Sequence, residues 1–242
     1  GLVFDHLRAV PRTADLSQPY DPNVSVEQQH LYYLGSNNSL PVKIFQVTQD
    51  NIGIFLQDQY QWSPQFSSQV GIRFDDNSDY HASTSPYVGV KYNYNPKTTF
   101  SLTYSQAYLA PSPSYSYEHF GSFTGQKDSQ GRYVADTFRI PNPDLQPEQA
   151  KAVEFVLNHE LSSNWQLNST VYASNLKNLI LFATPTSIPD STFIEGGFIK
   201  STDHNVNLGE SLAYGAELSS RYHHQNYEIW TNYSFTDGHL KT

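Results

Sequence analysis

Apolar and polar residues alternate along most of the chain beyond residue 50. Eight segments keep a period of two, at about 52–62, 66–75, 87–94, 99–108, 152–160, 165–175, 215–222 and 227–235. In 66–75 one face carries Phe66, Ser68, Val70, Ile72 and Phe74, and the other Ser67, Gln69, Gly71, Arg73 and Asp75. In 87–94, Val88, Val90, Tyr92 and Tyr94 oppose Gly89, Lys91 and Asn93. In 227–235, Tyr227, Ile229, Tyr233 and Phe235 oppose Glu228, Asn232 and Ser234. A period of two predicts strands with one apolar and one polar face.

The links between these segments alternate as well. Residues 63–65, 95–97, 161–164 and 223–226 make short turns, while 76–86, 109–151 and 176–214 make long links. This order predicts a transmembrane antiparallel β-barrel with short periplasmic turns and long extracellular loops. Strands of about 9–11 residues suffice to cross at a tilt. Tyr60, Trp62, Phe66, Tyr92, Tyr94, Phe100, Trp165 and Tyr227 crowd the short turns, where an interfacial aromatic girdle belongs. Asp58 goes against the pattern, because alternation puts it on the same face as Ile52, Ile54, Leu56 and Tyr60. A bulge or a place near the interface would relieve it.

Composition agrees with a surface that is partly out of water. Charged residues are 15% of the 242 and aromatics 14%, with 18 tyrosines, against about 25% charged in a typical soluble domain. No run of about 18 apolar residues marks a transmembrane helix, which a barrel does not need. Fourteen Lys and Arg against 23 Asp and Glu give a net charge of −9, with the cations scattered, so no nucleic-acid partner is expected. Cysteine is absent, which excludes disulfides and thiolate ligands. Methionine is absent too, even at position 1, and no signal peptide is visible; the chain is expected to be a piece of a longer protein.

One short stretch stands out: Asn142-Pro143-Asp144-Leu145-Gln146-Pro147-Glu148 follows Tyr108-Leu109-Ala110-Pro111 and leads into an alternating run. Its two prolines cannot lie inside a helix or a central strand. It is expected to be a rigid lead-in that fixes where the next strand begins.

Taken with Gly53-Ile54-Phe55-Leu56-Gln57-Asp58-Gln59-Tyr60, Gly71-Ile72-Arg73-Phe74-Asp75, Tyr104-Ser105-Gln106-Ala107-Tyr108, Tyr214-Gly215-Ala216-Glu217-Leu218 and Asn232-Tyr233-Ser234-Phe235-Thr236-Asp237, the motif gives a series whose order and spacing are specific. Over roughly residues 50–237 the chain resembles the C-terminal barrel portion of TonB-dependent outer-membrane receptors of the siderophore-receptor type. The resemblance implies part of a 22-stranded barrel with a plug in its lumen, in the outer membrane of a Gram-negative cell. On that reading residues 1–50 are an extracellular loop region with a possible strand, and residues 51–242 a partial barrel domain. It also implies active import of an extracellular nutrient chelate, most often a ferric siderophore, with haem and cobalamin open. TonB would act through a segment absent from this chain, outer-membrane lipid would surround the wall, and no catalysis, cofactor or protein metal site is expected.

Candidate binding residues follow from the loop 109–151. Tyr115, Tyr117, His119, Phe120, Arg132, Tyr133 and Arg139 combine aromatic faces with cations, which suits a partly flat, partly anionic ligand. Phe123 and Lys127 belong to the same loop, and Phe182, Phe193, Phe198 and Lys200 form a second such group. His223 and His224 fall at a short turn and point to opposite faces, so they are read as turn residues rather than metal ligands. Glu154, Glu217 and Arg73 fall on inward faces, where ion pairing is expected. Two other readings stay open: a complete eight-stranded outer-membrane barrel acting as an adhesin or structural protein, and a soluble carbohydrate-binding β-sandwich.

Overall fold

The computed structural model describes residues 1–11, 15, 16, 18–80, 82–184 and 194–241. Its strands are β1 (Leu2–Ala9), β2 (Val47–Gln61), β3 (Phe66–Asn77), β4 (Ser83–Asn95), β5 (Thr98–Leu109), β6 (Phe120–Gly121), β7 (Tyr133–Ile140), β8 (Glu148–Ser162), β9 (Trp165–Ala183), β10 (Gly197–His224) and β11 (Tyr227–Lys241). A short helix, α1 (Pro113–Tyr117), precedes β6. Strands β1 to β5 and β8 to β11 pair antiparallel in the order β1-β2-β3-β4-β5-β8-β9-β10-β11, forming one wall. Among the described residues β1 pairs only with β2 and β11 only with β10, so the sheet is open.

The register turns the sequence alternation into two faces. Val90, Leu102, Phe155, Val171, Ala216 and Phe235 are successive cross-strand partners in one apolar row. Shifted by one residue, Gln59, Gln69, Gly89, Thr103, Glu154, Tyr172, Gly215 and Thr236 form a polar row. The apolar residues are exposed: Leu56 keeps 73% of its surface and Phe235 50%. A broad apolar face open to the surroundings is the lipid face of a barrel wall, and the polar face lines the lumen. Gly215 serves the luminal face directly. A Cβ there would lie 2.5 Å from the Tyr172 hydroxyl, which crosses β10 to reach Thr236 Oγ1 at 2.7 Å.

Three expectations need correction. The link at 76–86 shrinks to residues 78–82, because β3 runs to Asn77 and β4 starts at Ser83. The link at 176–214 is mostly strand, since β9 continues to Ala183 and β10 starts at Gly197. The long strands run 12–28 residues rather than 9–11. At about 3.3 Å per residue the 28 residues of β10 reach roughly 90 Å. That far exceeds the roughly 30 Å of hydrocarbon, so its first half stands outside the membrane. No bulge relieves Asp58, which opposes Val70 in regular register on the outward face. It lies three residues from the end of β2, roughly 10 Å from the periplasmic turn.

The buried core is not in the wall. Leu31, Tyr33, Leu40, Val42, Phe123, Tyr133, Ala135, Phe138 and Ile199 cluster at the outer end of the sheet, with Leu16, Tyr20, Ile44 and Ile194 packed around them. Residues 31–42 fold back on themselves through Tyr33 N–H to Leu40 O (3.0 Å) and Val42 N–H to Leu31 O (2.7 Å). They dock on the loop 109–151 through Phe123 N–H to Leu34 O at 2.9 Å. Gly35, at φ +82°, permits the contact, because a Cβ there would sit 1.8 Å from Phe123 O. The loop 109–151 is therefore structured. Its β7 pairs in parallel with the outer half of β10 from Gly197↔Tyr133 to His204↔Ile140. The two outer segments and β10 together make a cap with its own core.

Candidate functional site

The proline-rich stretch anchors this cap to the wall. Leu145 is buried, and Asn142 Nδ2 donates to Asn205 O at 2.8 Å. Gln146 N–H donates to Asn207 Oδ1 (2.7 Å) while Asn207 Nδ2 donates back to Gln146 O (2.8 Å). Glu148 Oε1 accepts from Ile180 N–H at 2.8 Å. These bonds hold the crossing from β7 to β8 over the bulged part of β10, where the register shifts between Asn207 and Ser211. The prolines stiffen the chain between them.

Next to the cap the luminal wall forms a recess of about 520 Å³, lined in part by Asp5, Leu7, Gln49, Asn51, Arg73 and Tyr108. Arg73 and Asp75 share a face as i, i+2 neighbours on β3. The guanidinium forks the carboxylate, Nε to Oδ2 and Nη2 to Oδ1, both at 2.6 Å. Asn51 Nδ2 adds a bond to Asp75 Oδ1 at 3.3 Å. Gly53 leaves space for the pair, since a Cβ there would be 2.7 Å from both partners. Asn51 Oδ1 is buried with no hydrogen-bond partner among the described residues. Asp75 is 1% exposed, so Arg73→Ala strands a buried carboxylate. The expected loss is about 2–4 kcal/mol, read as a lower urea midpoint of the full-length receptor in micelles, with Arg73→Lys losing less because it keeps the charge but not the two-bond fork.

The seven sequence candidates fall into two groups. Tyr115 and Tyr117 lie on α1, which Ser112 caps by accepting from Ser114 N–H at 3.3 Å. Tyr117 O–H donates to Asp79 Oδ2 at 3.0 Å, and Gln49 Nε2 reaches the same oxygen at 2.9 Å, tying α1 to the rim of the recess. Burial and the Asp79 carboxylate push the Tyr117 hydroxyl up to about 12. Tyr115 is 44% exposed, and its carbonyl accepts from Asn205 Nδ2 at 3.4 Å.

The other five lie in the cap. His119 Nε2 meets the Tyr33 hydroxyl at 2.9 Å, and burial pulls its imidazole down to about 4. Burial also raises Tyr33. Phe120 pairs with Arg139 across β6 and β7. Arg139 contacts Glu118 at 3.6 Å and lies over the Phe182 ring at 4.7 Å; its Nε is buried without a hydrogen-bond partner among the described residues. Arg132 binds Asp128 at 2.8 Å and covers Phe198 at 4.9 Å. Tyr133 belongs to the cap core, with Lys127 over its ring at 4.6 Å. Lys200 pairs with Asp136 at 2.8 Å, and Phe193 lies outside the described residues. Sequence reasoning singled out Arg73 but missed Gln49, Asn51, Asp75 and Asp79. The signal available was luminal parity, which places Asn51, Arg73 and Asp75 on one polar face.

Of the inward charges, Arg73 has its partner within the wall. His223 and His224 end β10 beside the two-residue turn at 225 and 226, and His224 stacks on Tyr222 at 6.3 Å. Among the described residues no group of three or more His, Cys, Asp or Glu is placed to hold a metal ion.

The family described as TonB dependent receptor-like, beta-barrel matches residues 5–241. Heme/hemopexin utilization protein C of Haemophilus influenzae (strain 86-028NP) is 24% identical over 184 residues, covering 72% of this chain and 24% of that protein. The siderophore receptor PirA from Pseudomonas aeruginosa superposes with a TM-score of 0.61 at 18% identity, over 80% of this chain and 35% of the receptor. The outer membrane transporter YddB from Escherichia coli gives 0.61 at 14% identity, over 81% of this chain and 25% of the transporter. At these identities the structural likeness speaks to the fold. The chain spans between a fifth and a quarter of the length of the curated relatives it matches. With its apolar outer face, polar luminal face and structured outer cap, the chain belongs to the TonB-dependent receptor-like β-barrel family of the Gram-negative outer membrane.

Proposed function

We propose that the chain is the barrel part of an energy-coupled receptor that imports chelated iron, in the first place a ferric siderophore. The observation that carries the reading is the recess in the luminal wall, where Gln49, Asn51 and Arg73 stand among apolar groups, joined through α1 to a folded cap that holds cations over aromatic rings. Arg132 over Phe198 and Arg139 over Phe182 offer positive charge beside flat surfaces, and Tyr115 offers an exposed ring. Such surfaces suit an anionic, partly aromatic chelate. Tyr117, His119, Phe120 and Tyr133 act in this reading by holding the cap and the recess in place. TonB supplies the energy through a part of the receptor outside this chain. The ligand is released unchanged, and no protein metal site takes part. Haem is the second reading, favoured by the name of the Haemophilus relative.

Growth of an iron-starved deletion strain tests the choice. Restoring the full-length receptor is expected to restore growth on at least one ferric siderophore supplied as sole iron source. Growth restored on haem alone overturns the siderophore reading and keeps the import reading. Growth restored on no chelate overturns both.

A further inference from the structure

The luminal recess carries a negative charge that the wall does not neutralise. Asp5 and Arg73 are the charged residues of its lining. The Arg73 guanidinium is already forked by Asp75, with both bonds at 2.6 Å, so its charge is matched within the wall. The Asp5 carboxylate has no hydrogen bond or ion pair among the described residues. The three groups together leave a net charge of −1 at the recess.

Two amides add to the same sign. Asp5 on β1 opposes Asn51 on β2, and Gln49 is its diagonal neighbour on the same face, about 7 Å away. Gln49 is 7% exposed. Its Nε2 donates to Asp79 Oδ2 and to the Tyr80 hydroxyl, both at 2.9 Å. Asn51 Nδ2 donates to Asp75 Oδ1 at 3.3 Å. Both amide nitrogens are thus engaged, while Gln49 Oε1 and Asn51 Oδ1 have no partner among the described residues. Asn51 Oδ1 is buried and adds its dipole beneath the lining. Leu7, Ala107, Leu109 and Ala110 give the recess an apolar wall beside these oxygens.

We propose that the recess binds an alkylammonium arm of the imported chelate. An ammonium brings three donors and no acceptor, which complements a free carboxylate and a free amide oxygen. It donates to Asp5 and to Gln49 Oε1 in charge-assisted bonds, and its methylenes lie along the apolar wall. A carboxylate arm meets the unmatched Asp5 and is rejected. The two parts of the site then differ in sign. Arg132 and Arg139 in the cap suit the anionic, aromatic part of the cargo, and the recess suits its cationic arm. Haem offers no such arm. The inference rests on the import reading and names the feature of the cargo that the recess selects.

Isothermal titration calorimetry with the full-length receptor in micelles tests it. The probes are two ferric chelates, a trihydroxamate and a tricatecholate, each with a terminal ammonium arm and with the same arm acetylated. The ammonium form of at least one chelate is expected to bind about tenfold tighter than its acetylated form. Asp5→Asn removes that preference, Asp5→Glu keeps it and Asp5→Lys reverses it. All three variants keep the wild-type urea midpoint, because the Asp5 carboxylate has no partner to lose. Equal binding of the ammonium and acetylated forms, or a preference that survives Asp5→Asn, overturns the proposal and leaves the import reading standing. Binding of none of the four probes also overturns it, and the growth test above decides the import reading separately.

Discussion

Phe138→Ala is expected to undo the cap while leaving the wall intact. Phe138 is fully buried on β7. Its ring packs on Tyr33 at 5.7 Å and Phe123 at 5.4 Å, and Gly121 lies so close that a Cβ there would be 2.7 Å from it. Two chain segments, around Tyr33 and around residues 121–123, meet on this one side chain. Its removal leaves a cavity in a small core that has few other groups to fill it. A Phe→Ala change at such a site costs about 3–5 kcal/mol, a large share of what a cap of this size holds. Hydrogen exchange of the β7 amides and of residues 31–42 should speed up together, because they open as one unit. The ladders from β2 to β5 keep their protection, since each is held by its own register. Unchanged exchange in β7 would show that the cap core does not hold it.

Acidification is expected to loosen the same cap through His119. Burial lowers its pKa in the folded cap to about 4, from 6.5 in the open chain. The open chain therefore binds the proton more tightly, and stability is lost as pH falls. The full contribution is present above about pH 6.5, declines between 6.5 and 4, and is gone below 4. The shift corresponds to roughly 3 kcal/mol across that window. His119→Phe keeps a ring in place but removes the titration and the contact with the Tyr33 hydroxyl. It should be less stable at pH 7 by about 1 kcal/mol, with a flatter pH profile. Proteolysis of the cap at pH 7, 5.5 and 4 separates the two proteins; parallel profiles would contradict the assignment.

The wall was largely legible because a period of two survives in any strand with one face in lipid. Segments 66–75, 99–108 and 165–175 fall inside β3, β5 and β9. The outer half of β10 was not legible. Its residues, Ile199, Thr202 and Asn205 among them, are buried by β7 and the cap rather than by a period-two lipid face. The cap escaped for a related reason. Tyr33 and Phe138 lie 105 positions apart, and nothing local marks them as partners. The polar groups at the recess, Asn51 and Arg73, and the Asp75 carboxylate that holds Arg73 were present in the parity of the sequence. The depth of the recess came only from the arrangement of β1 to β5. Aromatics and cations in the loop 109–151 were visible as residue types. That Tyr133 and His119 would pack inward, leaving Tyr115 exposed, depended on which faces the distant segment 31–42 covers.

Uptake of radiolabelled iron, presented as a ferric siderophore to iron-starved cells producing the full-length receptor, bears most directly on the central claim. Cells with the receptor and TonB should accumulate label. Cells lacking either should not, although surface binding persists without TonB. Accumulation at the same rate without TonB, or no accumulation with any iron chelate including haem, would contradict the account.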